Sequence, residues 1–438
     1  MIRQLFPVSA LLFGSALLLF AGGMHSLILP VRGVAEGFSS TSLGLLGTGW
    51  AVGYVLGCLY VPRMVGSVGH IRTFGVMCAF AAVAILLQAL VVRPEVWIPV
   101  RAVSGFCFAG AAMIVESWLS DRANPQNRGR IFGIYTMVNL GATTAGQMAI
   151  ALGDASGFLF FAVAAIVYSL ALVPTALSTS ASPAPLTSVR LNLPLLWRNS
   201  PVAVAACFLV GISNGSFGTL AAVYAGQVGL TLSAIALFSS IPVLAGALAQ
   251  IPVGYASDRM DRRKVLVLVA VVALAADLGF LFATPQDQLT NLILVSVFGA
   301  AIYSMYPILI AHANDHAPQG TAIQVSGGLL MVFGVGNIIG PLIAGVAMGQ
   351  TGAQGLFLTT VVGHVVMILY TLRRITKRAA VKDKDKTKKG FQITIPAKAA
   401  TPETMVLAEG EEEGGSLEEA MAEEDAAQAR SSRTEPTE

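Results

Sequence analysis

The sequence predicts an all-α membrane protein with twelve transmembrane helices in two pseudo-symmetric six-helix halves. Three observations predict it. The 438-residue chain is 55% apolar and only 12% charged, against about 25% charged for an average soluble domain. The charge is unevenly placed: residues 1–375 carry 17 basic and 10 acidic side chains, and residues 376–438 carry 10 and 14. Apolar runs of about 20 residues, the length a helix needs to cross a bilayer, recur throughout the first 375 positions. A body with so few ionised groups cannot cover itself in water. That excludes a soluble enzyme, a nucleic-acid binder built on a basic surface and a disulfide scaffold. Barrel strands would alternate over about ten residues, and these runs are continuous.

Taken in order, the runs place spans at 8–30, 41–61, 73–92, 97–119, 131–152 and 158–177, then at 201–226, 233–254, 265–283, 289–312, 321–347 and 355–375. Arg3 before the first run resembles the start of a signal peptide. The run continues to about Leu29, past the usual apolar core of such a peptide, so a retained first helix is expected. Residues 178–200 are rich in Ser and Pro and read as a linker. The chain therefore divides into an N-terminal half (1–177), a cytoplasmic linker (178–200), a C-terminal half (201–375) and a tail (376–438). Two halves of equal span number suggest internal repetition, a common transporter design. The tail pairs a basic stretch at 382–389 with acidic residues after Glu409. Its composition predicts a disordered cytoplasmic tail, with contact between the basic stretch and anionic lipid as an alternative.

Orientation follows from Lys and Arg in the short loops. One side holds sixteen of them, and the other only Arg32 and Arg93. The richer side is expected in the cytoplasm, with both termini, in an inner or plasma membrane.

The loop after the eighth run holds Gly254, Asp258, Arg259, Asp261, Arg262, Arg263 and Lys264. Gly254 permits a close approach or a turn, and Asp258 is placed to satisfy the first amides of a neighbouring helix. The spacing resembles the G-x-x-x-D-R-x-G-R-R loop motif of the major facilitator superfamily, with Asp261 where that pattern has its second Gly. The first-half counterpart keeps Gly57 and Arg63 but has Val61 in place of the Asp. The resemblance implies a gating loop at Gly254, Asp258, Arg259 and Arg263. Glu116, Ser117, Trp118, Asn127, Arg128, Gly129, Arg130, Tyr135, Gly146 and Gln147, with Leu29 to Arg32, Glu36 to Phe38 and Tyr306-Pro307, look like the YcaD-like branch of that superfamily. The match spans residues 8–375. It implies a twelve-helix rocking carrier and little about its cargo.

Ionisable residues inside the spans are few, and each costs about 2.5–3.5 kcal/mol at a helix centre. They are Arg101, Glu116, Asp277, His25 and His364. Arg101 and Gly105 resemble the R-x-x-x-G core of a motif of proton-coupled antiporters. There a guanidinium holds an anion or tunes a carboxyl; the competing reading is snorkelling to the outer interface. Glu116 lies 15 residues on, about 22 Å along the helix. It reads either as a proton-carrying carboxyl or as a partner of Arg128 or Arg130. Asp277 reads as structural, His364 as packing, and His25 as either packing or cavity lining. Cavity candidates among neutral polar residues are Asn139 and Gln147, which share a helix face, with Asn214, Tyr224, Tyr303 and Tyr306. Interhelical hydrogen bonding, worth about 0.6 kcal/mol on average in membranes, is the competing role for each.

Gly53/Gly57, Gly211/Gly215, Gly336/Gly340 and Gly345/Gly349 stand four apart, a spacing that lets helices approach. Gly211, Ser213 and Gly215 fit G-x-S-x-G but lie in an apolar run, where a nucleophile elbow has no strand to precede it. Cys58, Cys78, Cys107 and Cys207 show no metal-ligand spacing, and no Walker sequence is present. No enzyme, cofactor, metal or nucleic-acid partner is therefore expected. The expected activity is secondary active transport of a small organic solute in a monomer, coupled to protons through Glu116 and Arg101, with export favoured by the Arg101–Gly105 resemblance. Proton-driven uptake or uncoupled facilitation, and a receptor acting through the tail, are the alternatives.

Overall fold

The computed structural model describes residues 2–124, 126–155, 157–177, 183, 192–318, 321–377, 391 and 394–409. The first half consists of α1 (Ile2–Ala35), α2 (Ser40–Val68), α3 (His70–Leu90), α4 (Pro94–Asp121), α5 (Arg128–Ala149) and α6 (Leu159–Ala176). A short α7 (Leu193–Asn199) follows. The second half consists of α8 (Pro201–Gln227), α9 (Leu232–Arg259), α10 (Arg262–Ala283), α11 (Gln288–Asn314), α12 (Ala322–Thr351) and α13 (Gly355–Lys377). Helices suit these runs because lipid offers no partner for a free backbone amide or carbonyl. Their ends are closed by side chains. Ser39, Thr231, Asp261 and Asp287 each accept a hydrogen bond from the first turn of the helix they precede, as an N-cap does.

Among the described residues, eleven helices are long and apolar enough to span a membrane, against the twelve expected. The exception is α5. Its 22 residues are sufficient in length, but Asn139, Thr143, Thr144 and Gln147 make it too polar. All four face the interior cavity described below, so the missing apolarity is spent on lining rather than on lipid contact.

The two halves repeat one packing scheme. In the first, α1 packs on α5 and α6, α2 on α4, and α3 on α4 and α6; in the second, α8 packs on α12 and α13, α9 on α11, and α10 on α11 and α13. Glycine sets the closest crossings. A Cβ on Gly53 of α2 would overlap the Ala102 carbonyl oxygen of α4, and one on Gly105 of α4 would overlap that of Trp50. In the second half the α8–α12 crossing uses Gly211 and Gly336 in the same way. Gly105→Ala is expected to destabilise the fold by about 3 kcal/mol, the upper end for overpacking, because the obstruction is main chain that cannot rotate away. A lowered thermal midpoint in detergent checks this.

The halves meet through α1 with α8, α2 with α8 and α12, and α5 with α9. At the end away from the basic loops the contact is close. Gln227 donates to Ser40 Oγ (3.2 Å), Thr41 to the Gly345 carbonyl (3.4 Å), and Ser240 to Gln147 Oε1 (2.7 Å).

The opposite, basic end departs from expectation. The tail is not wholly disordered. Residues 394–409 include a 3-10 turn (Ala397–Ala399) and α14 (Pro402–Glu409). They pack against α4, α5, α8 and α12, with Ile395, Ala400, Met405 and Leu407 at most 2% exposed. The physical reason is composition: an apolar insert lies between the basic and acidic stretches, and it buries as a core segment does. Of the expected linker, residues 183 and 192–200 are described. The latter run is ordered into a helix, α7, and its flanks, with Asn199 donating to the Ala313 carbonyl (3.2 Å). The charged stretches at 382–389 and after Glu409 lie outside the described residues.

Candidate functional site

A cavity of about 140 Å³ lies between the halves. From the first half it is lined by His25, Trp50, Arg101, Ser104, Asn139, Gln147 and Tyr168. From the second come Phe217, Thr219, Ser239, Tyr303 and Asn337. The α2–α4 crossing at Gly53 and Gly105 seats α4 so that Arg101 points into this space. It therefore does not snorkel to the interface. Arg101 makes no hydrogen bond or ion pair among the described residues, and no carboxyl group is among the lining residues. The cavity presents one positive charge set among hydroxyls, amides and aromatic rings.

His25 is fixed from both sides. Its Nε2 meets Gln88 Oε1 at 2.8 Å and its Nδ1 meets the Tyr168 hydroxyl at 3.4 Å. Gln88 is itself held by Trp97, whose indole N–H donates to the Gln88 carbonyl (2.8 Å). His25 thus both lines the cavity and braces Tyr168.

The structure brings His25, Arg101, Asn139, Gln147 and Tyr303 together, and leaves Asn214, Tyr224 and Tyr306 outside. Tyr224 stacks among Phe238, Phe280 and Phe357 and donates to Asn291. Tyr306 packs edge-on against Phe333, and Asn214 is buried within α8. Trp50, Ser104, Tyr168 and Asn337 line the cavity without having been singled out from sequence. Asn337 carried a signal, an amide in an otherwise apolar run; the others carried none that separates one helix face from another.

Glu116 lies off the cavity near the basic end of α4, 0% exposed. It pairs with neither Arg128 nor Arg130. Instead it accepts from the hydroxyls of Tyr135 (2.9 Å), Thr404 (2.8 Å) and Thr401. Arg128 donates to the Val406 carbonyl (3.5 Å). Asp277, expected to be structural or interfacial, bonds His364 Nδ1 (2.7 Å) and accepts from Thr360 (2.6 Å), deep between α10 and α13.

In the loop between α9 and α10, Asp261, not Asp258, caps the helix, accepting from the Arg263 amide (3.0 Å). Burial pushes the Asp261 carboxyl up, but hydrogen bonds from the Arg263 side chain and amide outweigh this and hold it below its ordinary value of 3.8. Arg259 lies over the Tyr255 ring at 3.4 Å, a cation–π contact. Arg262 and Arg263 are both buried here: Arg262 joins Asp315 (2.6 Å) and Asp258 (3.1 Å), and Arg263 joins Asp261 (2.7 Å). Asp315 is 53 residues away, so sequence alone gave no reason to choose Arg262 over Arg263.

The sequence model of one family, the Major Facilitator Superfamily, matches residues 11–327 and again residues 203–408. The chain belongs to the Major Facilitator Superfamily. The second match begins at the second half, in keeping with a repeated unit. The uncharacterized MFS-type transporter YcaD of Escherichia coli O7:K1 is 24% identical to this transporter over 376 residues, covering 84% of this chain and 95% of that one. A similar MFS-type transporter of Enterobacter sp. (strain 638) is 25% identical over 380 residues, 84% and 96% covered. These relatives bear out the YcaD-like resemblance. Among solved structures, the nucleoside transporter NupG superposes with TM-score 0.68 at 15% identity, covering 85% of this chain and all of that one. A bacterial homolog of the human lysosomal transporter Spinster, in an inward-facing and occupied conformation, gives 0.67 at 15%, with 88% and 98% covered. These likenesses show the fold.

Proposed function

We propose that this transporter is a secondary carrier that moves a small organic anion through the central cavity by alternating access. The observation that carries the proposal is Arg101, a guanidinium facing an interior cavity with no carboxylate among the described residues to meet it. An ion kept from bulk water is costly unless paired, and a planar guanidinium binds a carboxylate or phosphate through two parallel hydrogen bonds. A cargo anion completes the pair. Trp50, Phe108, Tyr168, Phe217 and Tyr303 offer flat apolar surface for its organic part, and Asn139, Gln147 and Asn337 offer donors and acceptors. The carrier works as a monomer in the inner membrane, with both termini in the cytoplasm on the side of the sixteen basic loop residues.

Proton coupling is a separable part of the proposal. The cavity lining has no carboxyl, so the proton is carried away from the cargo, at Glu116 on the same helix as Arg101. The Arg101–Gly105 resemblance favours export. Counterflow in liposomes tests the cargo class, using radiolabelled pools of small organic anions, neutral solutes and organic cations. Exchange is expected in the anion pool alone. Exchange confined to neutral or cationic solutes would overturn the anion reading, and silence in every pool would overturn transport.

A further inference from the structure

We propose that the basic mouth of the cavity is a peptide-binding site built around Glu116, and that its ligand is part of the chain's own tail, Phe391 and residues 394–409, seated as a plug. The site spans both halves. On the second half, the Phe391 amide donates to Asp258 Oδ1 (2.9 Å) and its ring lies where a side chain at position 254 would begin. Gln250 grips Thr394 by both main-chain groups, accepting from its amide (2.8 Å) and donating to its carbonyl (3.2 Å). Pro396 and Ala399 then form part of the cavity wall. On the first half, Tyr54 donates to the Ala400 carbonyl (2.9 Å) and Arg128 to that of Val406.

The grips of Gln250 and Tyr54 on backbone would hold any extended peptide. Selectivity comes from Glu116. Thr401 caps α14: its hydroxyl accepts from the Thr404 amide (3.3 Å), and the Thr404 hydroxyl accepts from the Thr401 amide (2.7 Å). The same two hydroxyls donate to the Glu116 carboxylate. A buried carboxylate at a helix N-terminus is further favoured by the helix dipole. The site therefore reads two threonines three residues apart at the start of a helix. It also accounts for Gly254 and Asp258, which carry the loop resemblance yet lie away from the cargo cavity.

The plug blocks both directions of a rocking cycle. While seated, it fills the path between the cavity and the basic side. As a wedge between the halves, it also prevents that end from closing, which opening the other end requires. Solute passes only when the segment leaves.

The test needs no knowledge of the cargo, so it stands or falls separately from the anion reading. The four native cysteines are replaced by alanine and Ser104 by cysteine. A membrane-impermeant maleimide is applied to the basic side in inside-out vesicles. Slow labelling is expected in the full chain, and faster labelling after truncation behind Lys377. A tethered segment acts at about 1 mM, so about tenfold protection corresponds to a free-peptide Kd of about 100 μM. A synthetic 391–409 peptide is expected to restore protection to the truncated chain. The full-length Thr401→Val/Thr404→Val variant keeps the tail and removes only its two hydroxyl contacts; it is expected to label like the truncation. In the otherwise intact chain, Gln250→Cys with Thr394→Cys is expected to cross-link on oxidation. Equal labelling of the full-length chain and the double threonine variant, or no cross-link, would overturn the proposal.

Discussion

Replacing Arg101 with Gln lowers the apparent affinity for the anion by about 10- to 100-fold, since a hydrogen bond to a charged group is worth about 1.5–3 kcal/mol. Arg101→Lys recovers part of this. It restores the charge but not the planar fork that meets a carboxylate through two bonds. The thermal midpoint of Arg101→Gln holds or rises. Arg101 has no hydrogen-bonding or ion-pair partner among the described residues, so no protein group is orphaned and one costly ion is removed. A structural arginine predicts the reverse pattern, with the midpoint falling and affinity following it. Counterflow titration beside a melting curve separates the two, and a midpoint falling as far as affinity would sink the cargo role.

Glu116→Gln has opposite effects in two backgrounds. In the full chain it weakens the seat of the tail, because the amide offers one acceptor where the carboxylate offered two and places a donor against hydroxyls that also donate. Losing charge-assisted bonds of that kind loosens the segment by about 10- to 100-fold, so downhill flux of the anion rises. In a chain truncated after Lys377 there is no tail to release, and the same substitution removes the proton carrier. Proton-driven accumulation then falls to the level reached by downhill exchange. Unchanged accumulation in the truncated variant would remove Glu116 from coupling. Unchanged flux in the full-length variant would remove it from the tail site.

Much of the fold was legible because lipid imposes a simple rule: long apolar runs become helices, and their number and spacing give two halves. The boundaries were short. The helix read as 8–30 runs from Ile2 to Ala35, because helices continue into loops that hydropathy alone treats as linkers. Arg101 was legible for the same reason as the spans, since a lone charge in an apolar run is conspicuous. Which neutral residues share its cavity was not. Tyr303 and Tyr306 stand three apart on α11 and share a broad face, yet one lines the cavity and the other packs on Phe333. Asn139 and Gln147, eight apart on α5, both reach it. The difference lies in how the helices cross, set by contacts between positions far apart in sequence. The tail was misread because its charged flanks dominate its composition. The short insert between them carries Ile395, Met405 and Leu407, which lie buried against the helices at the basic end.

The polarity of α5 also bears on biogenesis. A segment carrying Asn139, Thr143, Thr144 and Gln147 partitions poorly from the translocon into lipid by itself, since each polar group gives up water without a partner. Neighbours made earlier in synthesis shelter it in part, and α1 is the one that packs along it. Gln147 finds its partner Ser240 only after α9 emerges, 93 residues later. A nascent chain halted after α6 therefore holds an incompletely sheltered helix. Completion of α9 supplies the contact that Gln147 lacks in that half-made molecule.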